Sequence, residues 1–206
     1  MRYFINDISA LNGYLNRLWN FGSVLCGQQM TREIERWSGW KNFNSATTLL
    51  VFPGNGANIV RGFMSAEWLL GWRTTSATAK RIWIPGESPQ AIAGRIFPNK
   101  FVLGLKDIVV IDDVVSSGET ARKLRQVNAP WIPATQWHIV CWVAQKAASL
   151  RGFSSHHATI EVGDSNHKAP INSISTLLKE VDIAENYARR NFPQPETFLA
   201  LLDELR

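Results

Sequence analysis

Apolar residues along this chain follow two different periods. Runs rich in Leu, Val, Ile and Trp occupy 48–53, 107–111 and 137–144, each bounded by turn-forming or polar residues. Short runs apolar at nearly every position predict strands buried on both faces, as in a parallel sheet. Residues 80–84 predict a second, shorter strand ended by Pro85-Gly86, and 157–162 a fifth. Helical spacing takes over between them: 57–71 and 119–127 predict helices after the first and third strands, and 90–96 a short helical segment. In the C-terminal region Ile174, Leu177, Leu178, Val181, Ala184 and Ala188 share a helical face. Beyond Pro193, Phe198, Leu201, Leu202 and Leu205 form a last amphipathic set, with Pro195 just inside its start. Near the N-terminus Ile8, Leu11, Leu15 and Leu18 make one helical stripe, and Trp19, Phe21, Trp37, Trp40 and Phe43 read as core or cover.

Alternation of strand and helix from 48 to 144 predicts an α/β fold, a parallel sheet with helices on both sides. The chain then divides into a helical, aromatic N-terminal extension (1–47), the α/β core (48–144) and a C-terminal region (145–206). Ligands of such sheets sit beyond the carboxyl ends of the strands. The turn Pro53-Gly54-Asn55-Gly56 and the pair Asp112-Asp113 would share that edge.

Composition narrows the class. The 206 residues are 45% hydrophobic and 19% charged, an ordinary globular balance. A net charge of +5 suits a polyanionic ligand. Lys and Arg are scattered, the densest groups being Lys80-Arg81 and Arg189-Arg190, which argues against nucleic acid. Two cysteines with no metal spacing exclude a disulfide framework, and Cys141 sits inside an apolar run as a core residue. No run is long enough to span a membrane, and polar residues interrupt the first twenty or so positions, so a cytoplasmic address is expected.

The most specific chemistry lies in 108–120, Ile-Val-Val-Ile-Asp-Asp-Val-Val-Ser-Ser-Gly-Glu-Thr. A buried strand runs into two acids, two more apolar residues and a loop of small and hydroxyl residues that opens a helix. Free backbone N–H groups and the positive end of that helix favour phosphate. The acids cannot bind phosphate; they suit the hydroxyls of an attached sugar, or a cation. This run resembles the phosphoribosyl-pyrophosphate binding motif of the type I phosphoribosyltransferases at every position. The resemblance implies a Rossmann-like parallel-sheet core of that family with helical N- and C-terminal additions. It also implies roles for residues. Asp112 and Asp113 would hold the ribose and act as the catalytic acids, while Ser116, Ser117, Gly118, Glu119 and Thr120 wrap the 5-phosphate, Glu119 through its backbone.

Other positions are carried by the family pattern or remain open. The loop after the first strand contacts the pyrophosphate in that family, which would assign Gly54, Asn55 and Gly56; an ordinary strand-to-helix turn fits the same residues, and Asn55 and Asn58 either bond phosphate oxygens or cap the helix. Arg81, with Lys80 beside it, either faces the pyrophosphate or ends a solvated strand. Lys100 and Arg95 lie on a long connection that in the family closes over the substrates and steadies the leaving group. Arg61 reads as a surface residue paired with solvent or an acid. His156, His157 and His167 match no metal spacing and read as surface histidines. A small variable hood near one terminus binds the acceptor in the family, which points to 145–175.

The resemblance thus implies transfer of a 5-phosphoribosyl group from phosphoribosyl pyrophosphate to a nitrogenous, nucleobase-like acceptor, with release of pyrophosphate. Magnesium would be the cofactor, held mainly by substrate oxygens and by no dedicated protein ligands. Homodimers are common in the family. The alternative is a non-catalytic regulator of the same fold that senses phosphoribosyl pyrophosphate or a nucleotide. Receiver domains and haloacid-type phosphatases arrange their acids differently, and no P-loop sequence is present.

Overall fold

The computed structural model describes residues 1–8, 15–82, 90–96, 104–132 and 135–206. Its centre is a five-stranded, wholly parallel sheet. In chain order its strands are β3 (Thr48–Pro53), β4 (Arg73–Ala77), β7 (Asp107–Val115), β8 (Gln136–Gln145) and β9 (Ser155–Val162). In space they run β4-β3-β7-β8-β9. The three apolar runs became the three central strands, and β3 is buried at every position. Leu49, Val51, Ile108, Val110 and Ile139 point to one face, packing with Ala121 and Leu124 of α5 (Glu119–Asn128). Leu50, Phe52, Val109, Ile111 and Trp142 point to the other, under α2 (Gly27–Glu35) and α3 (Gly54–Phe63). This two-sided burial is what a parallel sheet requires, and the expected α/β class is observed.

Several elements differ from the sequence expectation. The second strand of the sheet is β4, not 80–84. Its sequence, Arg-Thr-Thr-Ser-Ala, carries no apolar run because it lies at the edge and is half exposed along most of its length. Residues 79–82 form instead β5 (Ala79–Ile82), an antiparallel hairpin with β6 (Gln90–Ala93), so 90–93 is a strand rather than a helix. The helix expected over 57–71 starts earlier, at Gly54. It breaks at Met64, and Ser65 then caps a second, short helix α4 (Ala66–Leu70) by accepting the Trp68 N–H at 3.3 Å.

The N-terminal stretch is not purely helical. β1 (Tyr3–Asn6) and β2 (Ser23–Cys26) pair in parallel, with only the one-turn α1 (Leu15–Leu18) described between them. β1 also pairs with β10 (Ile171–Ser173), making a separate three-stranded sheet from both ends of the chain. Helices α6 (Ile174–Lys179), α7 (Val181–Asn191) and α8 (Pro195–Leu205) cover it with their own core of Phe4, Leu18, Leu177, Tyr187 and Phe198. The Tyr187 hydroxyl is buried within that core, which pushes its pKa up to about 12. Among the described residues no helix is long and apolar enough to cross a membrane.

Candidate functional site

Strand order locates the site before any side chain is considered. From β3 the chain steps outward to β4, then returns to the opposite side of β3 as β7. The crevice beyond the carboxyl ends of β3 and β7 is therefore the point where connections diverge, the usual ligand position in an open α/β sheet. A cleft of about 470 Å³ lies there, and residues of β3, α3, β5, β7, α5, β8 and β10 line it.

The central strand supplies the acids. β7 continues as strand through both of them, with Asp112 opposite Cys141 and Val114 opposite Val143. Asp112 Oδ1 accepts the Asp113 N–H at 3.0 Å, and Asp113 Oδ1 accepts the Val114 N–H at 2.8 Å. Both acids line the cleft. Burial pushes the pKa of the neighbouring Cys141 thiol well up, and the charges of Asp112 and Asp113 push it further.

The loop 116–120 follows. Ser116 and Thr120 line the cleft, while Gly118 and Glu119 line a smaller recess beside it with Ser116 and Thr120. Gly118 caps α5 at φ 73°, a left-handed conformation, and a Cβ there would stand 2.5 Å from the Ser149 carbonyl oxygen. Only glycine meets both demands. Ser117 turns away to hold the loop, its hydroxyl accepting the Glu119 N–H at 3.3 Å. Its carbonyl accepts from Arg122 Nη1 at 2.8 Å, and the same guanidinium bonds the Ser149 carbonyl. The Glu119 carboxylate is also spent elsewhere, accepting the Ala91 N–H of the hairpin at 3.0 Å.

Across the crevice, Gly54, Asn55 and Gly56 form the first turn of α3 and line the cleft. The N–H groups of a helix's first turn have no partner within the helix, and the helix end carries partial positive charge. Gly54 adopts φ 73°. At Gly56 a Cβ would come within 2.5 Å of Asp113 Oδ2 and closer still to Oδ1. The second glycine of the turn therefore makes room for the acid of the neighbouring strand. Asn58 does not line this cleft; its side-chain oxygen accepts from Ser76 Oγ at 3.0 Å. Arg61 bonds Ser76 Oγ at 3.2 Å and Thr74 Oγ1 at 3.5 Å, so it pairs with hydroxyls of β4 rather than with an acid.

Lys80 enters the cleft from the hairpin. The side chain of Arg81 and all of Lys100 lie outside the described residues. Arg95 stacks on the Trp131 ring, its guanidinium carbon 4.5 Å from the centroid.

The remaining wall was not foreseen residue by residue. Gln145, Lys168, Ala169, Ile171, Asn172 and Ser173 complete the cleft. Gln145 is buried, its Nε2 donating to the Ala169 carbonyl at 2.6 Å and its Oε1 accepting the Ala169 N–H at 3.0 Å. A polar residue at the end of the apolar run 139–144 was the available signal for it.

The histidines do other work. His157 stacks flat on Trp37, with centroids 4.5 Å apart, and burial followed by the charge of His156 lowers its pKa. His167 hydrogen-bonds Asp164 at the surface. His138 is buried at the other edge of the sheet, Nε2 3.2 Å from Asp107 Oδ1 and Nδ1 2.8 Å from Ser155 Oγ, and ties the starts of β7, β8 and β9 together. Among the described residues no group of three or more His, Cys, Asp or Glu side chains converges as metal donors.

No family model and no curated protein matches the chain. Solved structures do resemble it in the course of the backbone. A purine phosphoribosyltransferase from Pyrococcus horikoshii Ot3 aligns over 70% of this chain and 85% of its own at 12% identity, with a TM-score of 0.49. The xanthine-guanine-hypoxanthine phosphoribosyltransferase of Helicobacter pylori aligns over 88% of this chain and 96% of its own at 15% identity, TM-score 0.47. A Neisseria gonorrhoeae protein with bound ppGpp aligns over 92% and 96% at 15% identity, TM-score 0.48. At such identities the likeness concerns backbone arrangement and carries no chemistry with it.

Proposed function

We propose that the protein binds phosphoribosyl pyrophosphate in this cleft and transfers its 5-phosphoribosyl group to a nitrogenous acceptor, releasing pyrophosphate. The observation that carries the reading is the juxtaposition at the strand crossover point. Two carboxylates at the end of β7, a glycine-capped phosphate loop at the start of α5 and the first turn of α3 face one cleft. A ribose 5-phosphate carrying a second anionic group at its anomeric carbon matches those three features in order.

The chemistry follows from charge. Displacement at the anomeric carbon passes through a ribosyl oxocarbenium, so negative charge beside the sugar and positive charge at the leaving group lower the barrier. Asp112 and Asp113 supply the first, accepting from the ribose hydroxyls. The α3 turn and Lys80 supply the second. Bound magnesium would neutralise pyrophosphate oxygens; Asp112 and Asp113 are hard oxygen donors of the kind it takes, and substrate oxygens would complete its shell.

Pyrophosphate release from phosphoribosyl pyrophosphate and magnesium, measured with a panel of nucleobases, tests the catalytic reading. Release with at least one base is the expected result. Tight binding of phosphoribosyl pyrophosphate with no release across the panel would make the protein a sensor of that ligand instead.

A further inference from the structure

A glycine at the head of α5 solves one problem and creates another. Gly118 tolerates φ 73° and the Ser149 carbonyl that leaves no room for a Cβ. Without a Cβ, however, the peptide between Ser117 and Gly118 can turn over at little steric cost. One orientation offers the Gly118 N–H to the recess shared with Asp112, Ser116 and Thr120. The other offers the Ser117 carbonyl oxygen, which repels an anion.

A clamp on the far side of the loop decides between them. The Ser117 carbonyl accepts from Arg122 Nη1 at 2.8 Å and from the Ser149 N–H at 3.3 Å. The same Nη1 bonds the Ser149 carbonyl, so one guanidinium ties the loop to the turn after β8. Arg122 is itself anchored, because its backbone N–H donates to the Gly118 carbonyl at 3.0 Å as α5 begins. A trans peptide is planar, with its C=O and N–H on opposite sides. Holding the Ser117 oxygen on the Arg122 side therefore aims the Gly118 N–H the other way. Among the described residues no acceptor takes that N–H.

We propose that Arg122 is a positioning residue for the 5-phosphate: it holds the Ser117–Gly118 peptide in the orientation whose N–H meets the anion. The inference rests on the phosphoribosyl reading of the cleft and adds the residue that presets its phosphate loop. Arg122 lines neither the cleft nor the recess, so it acts through the loop and not by touching the phosphate. A loop already set in its binding geometry takes up the ligand without the cost of being ordered.

Calorimetric titration of ribose 5-phosphate, together with amide spectra of isotope-labelled protein, tests the assignment. In wild type the Gly118 amide proton should move downfield as ribose 5-phosphate binds, because it enters a hydrogen bond to phosphate. Arg122→Met should bind ribose 5-phosphate about tenfold or more weakly, the scale of one charge-assisted hydrogen bond, and lose that downfield shift. Arg122→Lys, which keeps a donor-only cation, should recover most of the affinity. Lys123→Met removes the same charge from the adjacent, exposed position and should bind as wild type does, which separates peptide orientation from the general field of the helix. Amide protection across β7 and β8 should match in all of these proteins; its loss in Arg122→Met would assign Arg122 to the core and overturn the proposal. Wild-type affinity in Arg122→Met, or equal weakening in Lys123→Met, also overturns it while leaving the ribose 5-phosphate site standing. Failure of wild-type protein to bind ribose 5-phosphate removes the underlying reading as well.

Discussion

Asp113 illustrates how a single acid constrains its surroundings. Its carboxylate accepts the Val114 N–H and occupies the space that a side chain at position 56 would fill. Gly56→Ala should therefore displace that carboxylate. Alanine in place of glycine gains about 0.5–1 kcal/mol of helix stability, which offsets part of the clash. The expected outcome is a melting temperature close to wild type with phosphoribosyl pyrophosphate affinity reduced about tenfold, equivalent to ~1.4 kcal/mol. Thermal denaturation and calorimetry on the same sample separate the two effects.

His157 supports a prediction about pH. Stacked on Trp37 and partly buried, it has a folded-state pKa below its ordinary 6.5. Between these two values the unfolded chain holds the proton more readily than the folded protein does. The stability contributed by neutral His157 is therefore complete above pH 6.5 and drains away as pH falls from there through the lower folded value. Wild type should lose more melting temperature than His157→Phe when the buffer is changed from about pH 7.5 to about pH 5.5. Equal losses would assign the acid sensitivity elsewhere.

At the scale of elements, α5 does two jobs. Its N-terminus closes the loop proposed to hold phosphate, and its side chains fasten the β5–β6 hairpin. Glu119 holds Ala91, and buried Asn128 accepts the Ile96 N–H at 2.6 Å while donating to the Gly94 carbonyl at 3.2 Å. Removing the amide in Asn128→Ala leaves these buried backbone groups without their partner, at a cost of about 1–3 kcal/mol. The loss should be local. Amide exchange over 91–96 is expected to accelerate while β7 and β8 keep their protection; uniform acceleration would instead mean that Asn128 supports the whole core.

The same elements explain what could be read from the sequence. β3, β7 and β8 were legible because burial on both faces leaves an apolar run at the middle of each, Leu49–Phe52, Ile108–Ile111 and Ile139–Ala144. β4 was not, because an edge strand of Arg, Thr and Ser carries the signature of a loop. β1, β2 and β10 have four, four and three residues, too few for a period to show. In the hairpin, the Ala-Ile-Ala of β6 fits a helical turn as well as a strand, and only pairing with β5 decides between them.

For the molecule as a whole, the cleft is assembled from parts of very different sequence separation. One wall is contiguous in the chain, from Asp112 to Thr120, and its residue pattern was readable at once. The opposite wall depends on β10 pairing with β1, some 168 positions away between Tyr3 and Ile171, and on the Gln145 clamp. No local pattern encodes such an encounter, so Lys168 and Asn172 came to light only in three dimensions. The core of Phe4, Tyr187 and Phe198 that holds both chain ends together is what makes this second wall a fixed surface.

In the proposed function the two acids at the end of β7 hold a ribose whose phosphate sits in the α5 loop. Calorimetric titration of phosphoribosyl pyrophosphate in the presence of magnesium, into wild type and into Asp112→Asn and Asp113→Asn, tests it most directly. A charged hydrogen bond to a ribose hydroxyl contributes about 1.5–3 kcal/mol. One binding event per wild-type chain is expected, with affinity about tenfold or more weaker in each variant. Unchanged affinity in both variants, or no binding by wild type, would contradict it.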